Sequence, residues 1–342
     1  MPRIRVRAIR PEADVDALAG LLAARHKRDR TRLPQYPEAF ESAATCAALV
    51  RETFARPEWV NGAMAEADGV PVGYMVGTQQ LHAPTSVAAQ WIEPHSISIG
   101  MPSHAADPEH DVVAVYRALY EHLAGLWARQ GYFIHSADIP AGDADVQEAF
   151  VSLGFGRKTV CAVRSTAEPV EARAADPKIE VHQASSEDLE VVMHLEDTNN
   201  LHHLASPIFW PYLKETHAAT REYVAGLLAD PGNAHLVAYR DGKPIGMDTF
   251  NPPNFVSPMV QGGRTTYLFQ GVVEPEARGG GIGTVLLAKG IDWARAEGYE
   301  YCALHFASAN TSGGPFWLNQ GFVPVENTML RHVDERVAWA RP

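Results

Sequence analysis

Apolar and polar residues alternate through Ile4-Arg5-Val6-Arg7-Ala8, and again through Ile179-Glu180-Val181-His182-Gln183. A period of two predicts a half-buried strand at each place. Each is followed by an aspartate, Asp14 or Asp188, and then by apolar-periodic stretches that predict helices. Asp68-Gly69 and Asp241-Gly242 each separate two β-rich runs, the signature of a hairpin turn. The run Leu268–Val273 predicts a further strand, ended by Pro275 and a cluster of glycines. Beyond the glycines, Leu287, Ile291 and Ala294 share one helical face. Each half therefore predicts a strand, two helices, a hairpin, another strand, a long helix and a closing strand–helix–strand. That is an α+β pattern.

The recurrence extends to particular residues. Trp127-Ala128-Arg129 matches Trp293-Ala294-Arg295, and Phe150…Gly154-Phe155 matches Phe316…Gly321-Phe322 with one insertion. With the opening strands and the Asp-Gly turns, four matches fall in one order, each offset by about half the chain, as in a tandem duplication. The Ala- and Pro-rich segment 166–177 lacks core periodicity and predicts a linker between domains at 1–165 and 178–342. At 342 residues the chain is long enough for two cores. Its net charge of −12 disfavours nucleic acid or an anionic membrane surface as partner and is compatible with a cationic acceptor. Cys46, Cys161 and Cys302 lie far apart without metal-ligand spacing, and no signal peptide or long apolar run occurs. The expectation is a cytoplasmic protein without disulfides or a membrane span.

Chemistry concentrates at the strand–glycine–helix junction around Gly271–Thr284. Such a junction aims backbone N–H groups and the positive end of a helix dipole at one point, and so suits an anion. Neither the dinucleotide pattern nor the Lys-Ser/Thr of a P-loop is present. Arg278-x-x-Gly281-x-Gly283 is present, and Asn310-x-x-Gly313-x-x-Phe316-Trp317-x-x-x-Gly321-Phe322 follows it. A glycine turn merely joining a strand to a helix is the alternative reading of the first motif. Together the two motifs resemble those of the GNAT superfamily of N-acetyltransferases, over residues 180–330.

The resemblance implies an α+β fold of two tandem GNAT-like domains, each a mixed, largely antiparallel sheet flanked by helices. It implies acetyl-CoA as co-substrate and a small-molecule primary amine as acceptor. Arg278, Gly279, Gly280, Gly281, Ile282, Gly283 and Thr284 would hold the pyrophosphate, Val272 and Val273 the pantetheine arm, and Asn310 and Phe316 its far end. Gly271 would polarise the thioester carbonyl. Two positions depart from the family. Tyr267 stands where many members carry a glutamate base, and Trp317 where many carry a tyrosine acid. The base would be water, or Tyr267 acting through water, and Glu274 is expected to face solvent. The N-terminal half has no glycine between Gly100 and Gly125, and Val115 and Arg117 align with Gly281 and Gly283. It is expected not to bind CoA.

His194, His202, His203 and His217 match no metal motif and read as surface or pocket-lining residues, so no metal site is expected. Phe209, Trp210 and Tyr212, with Glu196 and Asp197, suit either an acceptor pocket or core packing. The expected activity is acyl-CoA-dependent N-acyl transfer by direct attack of the amine in the second half. The alternative is an acetyl-CoA-binding sensor or scaffold without efficient catalysis.

Overall fold

The computed structural model describes residues 4–171 and 178–340, so the end of the expected linker, 172–177, lies outside the described residues. In chain order the first half forms β1 (Ile4–Ala8), α1 (Pro11–Arg30), α2 (Ala43–Thr53), β2 (Val60–Ala67), β3 (Val70–Leu81), β4 (His95–Ile99), β5 (His104–Ala106), α3 (Val112–Arg129), β6 (Ile134–Pro140), α4 (Ala144–Ser152) and β7 (Gly156–Ser165). The second half forms β8 (Ile179–Gln183), α5 (Leu189–Leu204), α6 (His217–Ala229), β9 (Ala234–Arg240), β10 (Lys243–Asn251), β11 (Thr265–Val273), α7 (Ile282–Ala296), β12 (Tyr301–Ala307), α8 (Gly313–Asn319) and β13 (Val323–His332). This is the predicted α+β order, twice over.

The repeat is also written in backbone angles. Asp68 and Gly69 turn at φ 51° and 82°, Asp241 and Gly242 at 50° and 75°. Two consecutive positive φ values are what a tight hairpin with the right-handed twist of its strands requires.

The strands join into one continuous sheet in the order β1-β2-β3-β4-β6-β13-β7-β12-β11-β10-β9-β8, with β5 beside β3. Among the described residues only the β4–β6 and β11–β12 ladders are parallel. The closing strands are exchanged between the halves. β13 pairs antiparallel with both β6 and β7, and β7 pairs antiparallel with β12. Hence β6 and β7, connected through α4, run parallel with a one-strand gap that β13 of the other half fills. The gap between β12 and β13, connected through α8, is filled by β7. Neither half closes its own sheet.

Helices α3 and α4 cover one face of the first half, with Val115, Tyr116, Trp127 and Phe150 in its core. Helices α7 and α8 cover the same face of the second half, around Phe250, Leu286, Ile291 and Trp317. On the opposite face, α5 and α6 pack through Val192, Leu195 and Val224. Helices α1 and α2 and the segment between them cross the seam, placing Leu22, Tyr36 and Val50 in one cluster with Cys161, Tyr267, Ala303 and Val325. The core is thus shared, and the Tyr36 hydroxyl hydrogen-bonds the backbone carbonyl of Val325 in β13.

This interlock predicts that neither half folds alone. Each, expressed separately, would leave a one-strand gap between parallel strands, with three rows of backbone groups unpaired. Circular dichroism and chemical shift dispersion of residues 1–171 and 178–342 should report unfolded or aggregated chains. A well-folded second half binding acetyl-CoA on its own would refute this.

Candidate active site

The β11–β12 ladder is registered only from Thr265↔Tyr301 to Tyr267↔Ala303, and beyond that point the two parallel strands part. The register of β11 against β10 passes from Phe250↔Leu268 to Thr249↔Gln270, so Phe269 is an extra, bulged residue at the fork. A bulge bends its strand and sharpens the local twist, which accounts for the splay. A cavity of about 470 Å³ occupies the opening. It runs from the loop Arg278–Thr284, along Gly271, Val272 and Val273, to Leu304, His305, Phe306 and Asn310.

Eleven of the residues expected at the cofactor and thioester meet there: Gly271, Val272, Val273, Arg278, Gly279, Gly281, Ile282, Gly283, Thr284, Asn310 and Phe316. Gly280 does not line this cavity, and Tyr267 lines a different one. Gly281 is the N-cap of α7, at φ 77°, and Gly279 takes φ 79°. No side chain caps the helix, and a Cβ on Gly281 would meet nothing within 4 Å. The first-turn N–H groups of α7 therefore face open space, the arrangement an anion would fill. Gly283 serves packing instead, its Cα lying so close to Phe316 that a Cβ would stand 3.2 Å from the ring. Gly271 has the same relation to Trp317, at 2.8 Å.

Other side chains have local partners. Arg278 is exposed and donates from Nε to the Val273 carbonyl at 3.0 Å. Asn310 Oδ1 accepts from the backbone N–H groups of Ser312 and Gly313, capping α8. Glu274, expected to face solvent, is only 18% exposed. Its carboxylate accepts from Thr198 Oγ1 at 3.1 Å and meets His194 Nε2 at 2.9 Å, tying the end of β11 to α5. Glu196 is buried on Gln270 and Asn200, and Tyr212 donates to Asp197. Of the aromatic group, Trp210 lines a cavity while Phe209 is exposed. His202 and His203 line the fork cavity beside Asn310, and among the described residues no group of three His, Cys, Asp or Glu could hold a metal ion.

A second cavity, of about 360 Å³, lies between the halves and shares Asn199, His203, Phe269, Gln270 and His305 with the first. Its floor is the sheet face from β4 to β11, carrying Ser98, Ser136, Asp138, Thr328, Glu326, Thr159, His305 and Tyr267. Gln90, Trp91 and Glu93, before β4, form part of its roof. Trp91 packs edge-on against Phe269 and Phe255, while Gln90 donates to Thr216 and Thr220 of the second half.

His305 was not legible as a site residue. It sits in β12 at the junction of the two cavities, with Nδ1 3.0 Å from the Tyr267 hydroxyl and Nε2 without a hydrogen bond among the described residues. Cavity space leaves its ring partly uncovered, but desolvation by the surrounding protein lowers its pKa to about 4 and keeps it neutral. Burial likewise pushes the Tyr267 phenol well above its ordinary range, so Tyr267 remains protonated.

The first half has the same fork, closed. β4 and β6 part after Ile99↔Ala137. The buried His104 ring bridges the gap, with Nε2 2.9 Å from the Asp138 carbonyl and Nδ1 2.7 Å from the Tyr116 hydroxyl. Arg25 binds the backbone carbonyls of Met101 and His104 behind it. Val115 and Arg117 do not stand at the helix start as their alignment implied, because α3 begins earlier, at Val112. Its cap is Asp111, whose carboxylate accepts from Ala114 N at 3.0 Å. A carboxylate thus occupies the place that glycine leaves open in α7.

A model of the acetyltransferase (GNAT) family matches residues 198–322. A comparison with curated proteins found no match. Among solved structures, the chain is similar to a GCN5-related N-acetyltransferase from Sphaerobacter thermophilus, at 14% identity and a TM-score of 0.59, covering 96% of this chain and 95% of that one. It is similar to a tandem GNAT protein of the clavulanic acid biosynthesis pathway at 15% identity, with a TM-score of 0.50 and coverage of 97% and 99%. A GCN5-related glucosamine N-acetyltransferase region of a fungal multi-domain GH3 β-N-acetylglucosaminidase gives 13% identity and a TM-score of 0.56, over 96% of this chain and 38% of that one.

Gly281→Val tests the anion-binding reading of the α7 terminus. A β-branched residue at φ 77° is strained by roughly 1–2 kcal/mol and would fill the open space before the amides. Calorimetric affinity for CoA should fall at least 100-fold with the circular dichroism spectrum retained. Unchanged affinity in the folded variant would reduce the loop to a turn.

Proposed function

We propose that the chain is an acyl-CoA-dependent N-acyltransferase, acting in its second half on a small-molecule amine; the match of residues 198–322 to the GNAT acetyltransferase model and the likeness of the fold to tandem GNAT structures support this reading. The observation that carries the reading is the meeting of two cavities at Phe269, Gln270 and His305, one fitted to a cofactor and one to an acceptor.

The cofactor cavity fits acyl-CoA in three respects. Its glycine loop leaves the α7 amides free, its β11 edge is released from β12, and its length follows that edge to the fork. On this reading the Gly279–Thr284 amides hold the pyrophosphate and the backbone of Val272 and Val273 pairs with the pantetheine arm. Bound there, acyl-CoA supplies an activated thioester. The Gly271 N–H polarises its carbonyl, and Trp317 walls the site behind Gly271.

His305 supplies the base that the sequence lacked. With Nδ1–H donated to the Tyr267 oxygen, Nε2 presents a lone pair to the cavity junction. The nitrogen of an attacking amine becomes more acidic once it bonds the carbonyl carbon, and a neutral His305 is placed to take that proton as the thiolate leaves. Tyr267 then acts by holding the tautomer rather than as the base. The plugged fork and the Asp111 cap of the first half support a single cofactor site per chain.

Three measurements test this. Calorimetry should give one acetyl-CoA per chain, and two equivalent sites would refute the assignment. His305→Ala should lower kcat for CoA release by about 10²-fold or more, within the range of a lost general base, with acetyl-CoA affinity kept. Trp317→Phe should leave kcat within a few-fold, because the indole is a wall and the thiolate can leave unprotonated. A large loss in a folded variant would make the indole N–H a participant.

His305 also carries a stability signature. Its folded pKa lies below the ordinary value, so its contribution is complete above about pH 6.5 and lost as pH falls towards 4. His305→Gln should therefore lose about 2 kcal/mol less stability than the parent between pH 7 and pH 5. Equal losses in urea titrations would show that the imidazole is not held neutral.

A further inference from the structure

The floor of the second cavity holds two carboxyl groups that the transfer reaction does not use. Asp138 of β6 stands opposite Thr328 of β13, which donates to its Oδ1 at 2.8 Å. Glu326 lies two residues back along β13, paired with Pro140, so it shares a sheet face with Asp138 as a diagonal neighbour. Glu326 is 4% exposed, and its buried Oε2 has no hydrogen-bond partner among the described residues. The nearby Arg25 is committed to Asp29 and to the carbonyls of Met101 and His104. A buried carboxyl group without a partner is costly, and a site lined by it is completed by a ligand that supplies a donor.

The ionisable groups around it favour a cation, which would draw the buried carboxyl groups into their charged forms. The lining of this cavity includes Glu93, Asp138 and Glu326 against the single basic side chain of Lys158. Lys158 is itself occupied, donating to Glu93 at 2.6 Å and to the Trp91 carbonyl at 3.0 Å. His203 and His305 are kept neutral by burial. The rings of Trp91, Trp210, Phe255 and Phe269 line the walls, which suits an apolar chain between charged ends.

We propose that Glu326 and Asp138 form a subsite for a second cationic group of the acyl acceptor, so that the acceptor is a diamine or polyamine rather than a monoamine. The spacing follows from the sheet. His305 pairs with Cys161, and Cys161 pairs with Glu326, which places the base and the carboxylate two strand spacings apart, roughly 10 Å. One amine reacts at the fork while the other sits on the floor. The inference rests on the acceptor reading of this cavity. It adds a role for the exchange of closing strands, since Asp138 comes from the first half and Glu326 from the strand that the second half inserts beside it.

The test is calorimetric titration of the CoA-saturated protein with 1,8-diaminooctane, whose extended chain spans about that distance, against n-octylamine and glucosamine. The diamine should bind at least tenfold more tightly than either. Glu326→Gln and, separately, Asp138→Asn should bring the diamine-to-octylamine ratio towards one. Equal affinities for the two alkylamines, or no diamine binding at millimolar concentration, would overturn the subsite even if acyl transfer to monoamines were observed. Preference for glucosamine would overturn it too, making the carboxyl groups partners for hydroxyls. Tight diamine binding without release of CoA thiol would leave the subsite standing and count against the transfer reaction. The comparison of ligands on the parent protein stands even if a variant fails to fold.

Discussion

The exchange of β7 and β13 governs the rest of this molecule. Each half ends in two parallel strands joined by a helix, with a gap between them that only an antiparallel strand of the other half fills. The backbone pairing that closes one sheet therefore also closes the second, and the halves are held by hydrogen-bonded strands rather than by a docked surface. Two consequences follow directly. The sheet is continuous across the seam, and its central face draws side chains from both halves in alternation: β6, β13, β7, β12. A cavity over that face is built by both halves even though the chemistry is assigned to one.

The second organising feature is the fork between parallel strands, which occurs twice and is used differently each time. In β11 and β12 the bulge at Phe269 parts the strands, and small or backbone groups line the opening. In β4 and β6 an imidazole fills it, hydrogen-bonded at both nitrogens, with Arg25 binding the strand carbonyls behind. An opened parallel pair exposes unpaired backbone groups, which must find partners. The first half supplies them from its own side chains. The second half leaves its fork open, which is the physical basis for proposing that it holds the cofactor.

Much of this was legible in the sequence, and the rest was hidden for definable reasons. The strand and helix order was readable because alternation and helical periodicity are local, and the Asp-Gly turns because positive φ restricts residue choice. The glycine loop was readable for the same reason. Strand exchange was not, since the closing segments of the two halves predict the same strand–helix–strand whether they pair within or across. The missing glycines of the first half lead to the expectation that it does not bind CoA, argued from residues that do not stand at its helix start. Val115 and Arg117 lie inside α3, and the decisive groups are Asp111 and His104. His305 escaped notice because it is one polar residue in the apolar run Tyr301–Ala307, while the conspicuous histidines lie between 194 and 217. A lone imidazole on the strand after the glycine-loop helix was the available signal. Its weight comes only from the fork, which brings β12 against Tyr267 and both cavities.

The same geometry bears on what the first half adds to the proposed acceptor site. Asp138, Glu326 and Thr328 lie side by side only because β13 is inserted next to β6, and Lys158 and Glu93 reach the cavity from the first half. An acceptor bound there would touch both halves, while the amides and the fork that act on the acyl group belong to the second. Specificity and chemistry would then reside on different copies of the duplicated unit, joined through the sheet. The carboxyl groups lie in the low-dielectric interior, where unmatched charge is costly, so this floor discriminates by charge more sharply than an exposed acidic patch could. Burial raises the Asp138 pKa to about 6, and burial with the neighbouring Asp138 raises the Glu326 pKa well above its usual range. A cation arriving between them would favour their ionised forms, and binding would proceed with loss of a proton from the floor. Recognition of a second ammonium group would in this way be coupled to the charge state of the sheet itself.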